Sequence, residues 1–361
     1  MNRRLSFFRN GLRLWTLVLA GSLISHQADA FDPYTDRGVD RQQQLEAGAR
    51  KEGKVLFYSG WVANQILAPM KTAFERKYPF VELQYQEGNG RSHVQKIINE
   101  SRANARNGDI VSGTGLAEPL IKAGMIQPYF SPSAETYLAV YKSPEGYYTS
   151  ANVNYYGVAY NTRSVKAEDA PRTFADLLDP KWRGKMAWPA SSDSGALLFV
   201  GSVLSSMGPE AGAIYLIQLS QNRVVNYAGS ARAMVDQVGQ GEYLLGLNSF
   251  AHHPIISQML GAPLELSLLE PVPVDINTLM AIKQAPHPHA SVLLIDFILA
   301  IEGQTLLRDA GSFPTHPSLE PIPEMRKAIP TLNNKTINVF TPEAAFKVRD
   351  QSLAVISRWF K

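Results

Sequence analysis

The residues with the clearest chemical potential lie at 180–199, where Met186, Ala187 and Trp188 form a short apolar run stopped by Pro189. That run predicts a strand ending in a loop. Ser191, Ser192, Asp193 and Ser194 then precede Gly195 and the apolar stretch from Ala196 to Leu204, which has helical character. Small hydroxylated residues in that place are N-cap candidates, because their oxygens accept from backbone N–H groups that lack an intrahelical partner. An ordinary helix start accounts for the stretch by itself. The same geometry also offers N–H groups, serine hydroxyls and the positive end of a helix dipole to an anion.

Strands and helices that could position such a site can be read on both sides of it. In the first part, Asp40–Lys51 predicts a helix, Lys54–Tyr58 a strand, Gln65–Lys77 a helix closed by Pro79, and Val81–Tyr85 a strand. A turn and cap at 87–92 lead into a helix through Val94, Ile97 and Ile98, and Asp109–Val111 is a third strand. This alternation argues for a parallel sheet with helices on both faces. Ligands of such sheets sit at the carboxyl ends of the strands. The loops at that edge hold Ser59, Gly60 and Trp61; Gly88 to Ser92, with Arg91; and Ser112, Gly113 and Thr114. Each taken singly is plain turn chemistry. Three together predict a cleft, with Ser59, Trp61, Arg91, Ser92 and Ser112 as ligand-binding candidates and Trp61 at its mouth.

The second part repeats the design. A long aromatic strand region runs from Tyr147 to Tyr160, where core and hinge packing is the expected role of the tyrosines. Further strands are predicted at 186–188, 221–227, 243–248 and 279–283, with helices from Gly229 to Gln240, at 290–301 and at 303–308, and an amphipathic helix from 341 to 360. Ser194, Ser230 and Asn248 fall at the polar tips of this second unit.

Residues 1–30 read as an export signal: Arg3, Arg4 and Arg9, then the mostly apolar stretch from Leu12 to Ile24, then Ala28, Asp29 and Ala30 as a small-x-small cleavage pattern. Their removal takes away Arg3, Arg4, Arg9, Arg13 and Asp29, so the formal charge of +3 disappears and the remaining chain is balanced. A nucleic-acid or membrane-surface role then loses its electrostatic basis. The chain has no cysteine, which excludes disulfides, thiol catalysis and thiolate metal sites together.

The ordered set Lys54–Tyr58, Tyr155–Thr162, Phe174–Trp188, Ser191–Leu197, Gly241–Asn248 and His289–Ala310, with Glu302, Gly303 and Gln304 inside it, resembles the ferric-type extracytoplasmic solute-binding proteins. These are type II periplasmic binding proteins that serve ABC importers. The resemblance covers nearly all of the chain after residue 30. It implies an α/β fold of two lobes, each a sheet flanked by helices, joined by crossing hinge strands near 151–155 and 271–277. The implied organisation is a signal peptide at 1–30, a first lobe at 31–153 and 276–318, a second lobe at 154–275, and a C-terminal segment at 319–361 packing on the second lobe. It further implies a periplasmic monomer that binds a small solute, works with an inner-membrane ABC permease, needs no cofactor and is not an enzyme.

The iron-binding members of that family use two adjacent tyrosines after the strand that ends here at Asn248. This chain has Ser249 and Phe250 there. Loss of the phenolates argues against a ferric site, since a hard trivalent cation needs several anionic oxygens. The same relatives hold an accompanying anion at positions that match Ser194, Gly195, Ala196, Ser230 and Asn248. The resemblance therefore implies an anionic ligand, a phosphonate, phosphate ester or carboxylate, with Arg91 as an opposing clamp from the first lobe. A non-tyrosine metal site and a periplasmic sensor partner are the alternatives. His252 and His253 are expected as a hydrogen-bonded loop pair, and no metal ligand is assigned. No Gly-x-Ser-x-Gly, His-Glu-x-x-His or P-loop pattern occurs, which leaves an enzyme reading without a motif.

Overall fold

A computed structural model describes residues 31–189 and 195–360. The expected signal peptide and Ser194 lie outside the described residues. The chain opens with α1 (Arg41–Glu52), β1 (Lys54–Ser59), α2 (Ala68–Lys77), β2 (Glu82–Glu87), α3 (Gly90–Arg102), β3 (Ile110–Gly113), α4 (Ala117–Lys122) and the short β4 (Ile126–Gln127). β1 lies between β2 and β3 and is parallel to both, as the strand–helix rhythm predicts. Gly53 ends α1 in the left-handed region, at φ 70°, where its N–H returns to the Ala49 carbonyl. The helix predicted over 65–77 is divided: a π turn at Ala63–Leu67 precedes α2. Pro69 sits in the first turn of α2, where a missing N–H costs nothing.

The long β5 (Thr149–Asn161) leaves this first sheet for a second one. There follow β6 (Met186–Pro189), α5 (Ala196–Met207), α6 (Pro209–Gln221), β7 (Val225–Tyr227), α7 (Ala231–Gln240), β8 (Leu245–Phe250), α8 (His252–Met259) and β9 (Leu264–Ser267). The chain returns along β10 (Val272–Ile282) and finishes with α9 (Pro288–Leu299), α10 (Ile301–Asp309), β11 (Phe313–Pro314), β12 (Ile337–Phe340) and α11 (Pro342–Trp359). The main strand order is β2-β1-β3-β10-β5-β8-β6-β7.

The two sheets meet within β5. Up to Tyr155 it pairs antiparallel with β10, Tyr155 opposite Val274, and from Tyr156 it pairs with β8, Tyr156 opposite Phe250. One core, with Tyr58, Val111, Leu120, Val153, Ile276 and Phe313, fills the first lobe. A separate core, with Leu177, Trp188, Phe199, Val200, Leu216 and Leu247, fills the second. The expected two-lobed α/β architecture is what the chain adopts.

The C-terminal segment is shared between the lobes. Met325 and Ala328 belong to the first core, whereas Phe360 packs on Trp188 at 4.6 Å between ring centroids. α11 lies along α5, with Val348 against Gly201, while its first turns reach the other lobe. There Tyr148 donates to Glu343 at 3.2 Å, and the Lys122 ammonium stands 3.9 Å from the centre of the Phe346 ring.

Candidate functional site

The crossing strands form the floor of the space between the lobes. On β5 the side chains of Asn152, Asn154 and Tyr156 alternate with Val153 and Tyr155, and on β10 Asp275 and Asn277 alternate with Val274 and Ile276. Val153, Val274 and Ile276 enter the first core, so the polar set shares the opposite face. Register places Asp275 opposite Asn154 and Asn277 opposite Asn152. Asp275 is 6% exposed and receives two hydrogen bonds, from Asn154 Nδ2 at 2.7 Å and from the Tyr156 hydroxyl at 2.6 Å. Burial pushes its carboxyl up to about 7, against the pull of those two donors. Asn277 is 7% exposed, and among the described residues its Oδ1 has no hydrogen-bond partner.

Beside Asp275 lies a cavity of about 350 Å³. Arg91, Thr114 and Gly115 line it from the first lobe, Leu197 and Leu198 from the second, Asp275 and Ile276 from the crossing strand, and Phe340 and Arg349 from the C-terminal segment. Among the described residues its lining is mixed: two guanidinium groups, one buried carboxyl, and walls that are otherwise largely apolar. A volume of this size suits a small organic solute.

Among the described residues expected at the site, Arg91 is the one that lines this cavity, and α5 reaches it through Leu197 and Leu198, directly after Ala196. Arg91 is the second residue of α3, whose cap is Asn89. The Asn89 side chain accepts from the Ser92 N–H at 2.9 Å, and the Ser92 hydroxyl donates to the Asn89 carbonyl at 2.8 Å. Both polar groups of Ser92 are therefore engaged in the cap. Ser230 likewise caps α7, its hydroxyl accepting from the Ala233 N–H at 3.1 Å.

Gly195 and Asn248 are brought together. Asn248 is in the left-handed region, at φ 47°, and donates from Nδ2 to the Gly195 carbonyl at 3.0 Å. Gly195 is the N-cap of α5, and the expected serine cap from residues 191–194 lies outside the described residues. The first N–H groups of α5 are accordingly not occupied by a capping side chain from the described residues. Ala196 turns its methyl into the second core.

Ser59, Trp61 and Ser112 depart from the expectation. The hydroxyls of Ser59 and Ser112 lie 2.9 Å apart, and the Trp61 N–H donates to Ser59 Oγ at 3.1 Å. Trp61, expected at the mouth of the cleft, is 4% exposed. Its ring meets Phe57 edge-on, and its indole N–H donates to Asn152 Oδ1 at 3.0 Å. These residues brace the loop ends against the crossing strand. Behind them the buried His93 stacks on Tyr58, faces the Ser59 carbonyl at 3.2 Å, and is held below the ordinary imidazole range by burial.

His252 and His253 are also corrected. They open α8 rather than sit in a loop, with Pro254 tolerated in the first turn. Among the described residues neither Nδ1 has a hydrogen-bond partner. Burial holds both rings well below the usual imidazole range, His252 at about 4. After β8, Ser249 donates its hydroxyl to the Gly246 carbonyl at 2.9 Å, and Phe250 packs on Tyr156 with ring centroids 4.9 Å apart.

With this geometry in view, comparison with known proteins is decisive on family. The model of the bacterial extracellular solute-binding proteins matches residues 107–338. The chain belongs to that family. Iron uptake protein A1 of Synechocystis sp. is 24% identical over 196 residues, a match that spans about half of each chain (51% of this one and 54% of the relative). The periplasmic binding protein AfuA of Actinobacillus pleuropneumoniae, with fructose-6-phosphate bound, superposes with a TM-score of 0.72 at 20% identity, covering 85% of this chain and 99% of its own. Iron-bound HitA of Pseudomonas aeruginosa gives 0.68 at 20% identity, covering 84% and 97%. One shared fold thus carries a metal in one neighbour and a sugar phosphate in another.

Asp275, Asn154, Tyr156, Asn277 and Arg349 were not among the residues expected at the site. A signal existed for Asp275, Asn154 and Asn277. Asn152 and Asn154, like Asp275 and Asn277, alternate with apolar residues, which marks one polar face of a buried strand.

Proposed function

We propose that this chain is the solute-capturing component of an ABC uptake transporter and that it binds a small organic anion, such as a phosphonate, a phosphate ester or a carboxylate, between its lobes. The observation that carries the reading is the convergence of Arg91 from the first lobe and the start of α5 from the second on one cavity. A guanidinium matches an oxyanion with two parallel hydrogen bonds, and the N–H groups at a helix start favour the same charge. Ser249 and Phe250 stand where relatives with ferric sites carry phenolates, which favours the anion over iron. Export, a monomeric state in the periplasm, binding without a cofactor and delivery to an inner-membrane permease belong to this reading.

A thermal-shift screen of protein that has been unfolded and refolded, so that carried-over solute is gone, tests it. Phosphate esters, phosphonates and carboxylates are compared with ferric salts and simple amines. A true solute at 100 times its dissociation constant adds about 2.7 kcal/mol of stability. Stabilisation by ferric salts or by simple amines alone would sink the reading.

A further inference from the structure

Most of the described wall of the cavity beside Asp275 is hydrocarbon. Val94 comes from α3, Leu197 and Leu198 from α5, and Phe340 from β12. Pro342 and Phe346, one helical turn apart, add a face of α11. Leu197, Leu198 and Phe340 are themselves buried, so the cavity is bounded by side chains already withdrawn from water. The carboxyl in this wall is engaged elsewhere: Asn154 and Tyr156 donate to its two oxygens, and burial favours its neutral form. A hydroxyl carried against hydrocarbon gives up its water and meets neither donor nor acceptor in return, which is the costly case. A methylene or a ring edge carried there gains burial and van der Waals contact together.

We infer that the solute is an amphipathic acid, one oxyanion on a compact apolar body, an alkyl chain or a single ring, that lies against Leu197, Leu198, Phe340 and Phe346. This rests on the anion reading given above and narrows it, because it sets polyhydroxylated anions such as sugar phosphates and sugar acids aside. A cavity of about 350 Å³ is of the size that encloses such a body. The cation and the helix start would then hold the acid group, whereas the choice among acids falls to the apolar wall.

Pairs of anions that share a head group test this by calorimetry on the refolded protein: hexanoate against gluconate, phenylphosphonate against methylphosphonate, and cyclohexylmethyl phosphate against glucose 6-phosphate. Within the pair whose head group fits, the apolar member should bind at least about tenfold more tightly, the gain expected from burying a few methylenes or a ring. Phe346→Ala, at a half-exposed position of α11, should weaken the apolar member and leave its partner unchanged. The wild-type comparison decides by itself if that variant does not fold. Equal or weaker binding of the apolar member in every pair that binds would overturn the apolar body and leave the anion reading standing. Hexanol binding as tightly as hexanoate would overturn the acid end, and the anion reading with it. Silence from the whole panel would overturn both.

Discussion

Tyr156 donates its hydroxyl to Oδ2 of Asp275 at 2.6 Å, tying the strand that leaves the first lobe to the strand that returns to it. Tyr156 is also the first residue of β5 to pair with β8, so the bond lies where the two sheets diverge. The carboxyl it reaches is pushed by burial to about 7. A carboxyl whose folded value lies above its unfolded value of 3.8 stabilises the fold fully below about pH 4, and that contribution is lost as pH rises through 7. Asp275→Asn should therefore flatten the decline in stability of ligand-free protein between pH 4 and 7. The difference between the two curves is at most about 4 kcal/mol. Urea denaturation at several pH values measures it, and parallel curves for wild type and variant would refute the assignment.

Arg91 is the first lobe's cation in the cavity wall. Charge-assisted hydrogen bonds contribute roughly 1.5–3 kcal/mol each, so Arg91→Ala should weaken binding of the screened anion at least about tenfold. Titration calorimetry on both proteins reads this directly. Equal affinities would remove Arg91 from the binding site.

Gly195 limits what mutagenesis at the second lobe can report. A Cβ there would lie 2.1 Å from the Pro189 carbonyl oxygen. Gly195→Val should therefore act first on stability, as overpacking does, by about 1–3 kcal/mol or more. The expected signature is a lower denaturation midpoint in ligand-free protein. An unchanged midpoint would mean that β6 and α5 can part to admit the side chain.

Iron gives a separate test. Ser249 is committed to the Gly246 carbonyl and Phe250 to the Tyr156 ring, and neither can supply a phenolate. Purified protein should lack the visible tyrosinate-to-iron absorption and gain no stability from ferric salts. A coloured, iron-loaded preparation would overturn the expectation.

The fold was legible where spacing alone dictates it. Periodic apolar residues marked α2, α3 and α9, and short apolar runs marked β1 and β6. The pattern was weakest at β10, of which only the segment from Leu279 was read directly. Pro273, Asp275 and Asn277 interrupt its earlier half, and Asp275 is the one of these three that lines the cavity. The same conflict between local pattern and site hid Asp275 and Asn154. Trp61 was misplaced for a different reason: a loop aromatic looks exposed in sequence, and the Asn152 acceptor that draws it inward is 91 residues away. The helical start at His252 was missed because Pro254 reads as a breaker, although in a first turn it removes no hydrogen bond.

Movement of the lobes is the last expectation. The crossing of β5 from β10 to β8 occurs between consecutive residues, Tyr155 and Tyr156, so a small change of backbone angle there rotates one sheet against the other. A solute gripped by Arg91 and by α5 gains its full binding energy only when both are near, which biases the molecule toward the closed arrangement. α11 spans the same gap, held to the first lobe by Glu343 and Phe346 and to the second by Phe360. Closure must therefore either carry α11 with the second lobe or stretch its contacts with Tyr148 and Lys122. Small-angle scattering of refolded protein with and without the screened solute should show a smaller radius of gyration in the bound state. Phe346→Ala, which removes the ring beneath the Lys122 ammonium, should alter the unbound value more than the bound one if α11 restrains the open form. A radius indifferent to solute in both proteins would count against a hinge-closing binder.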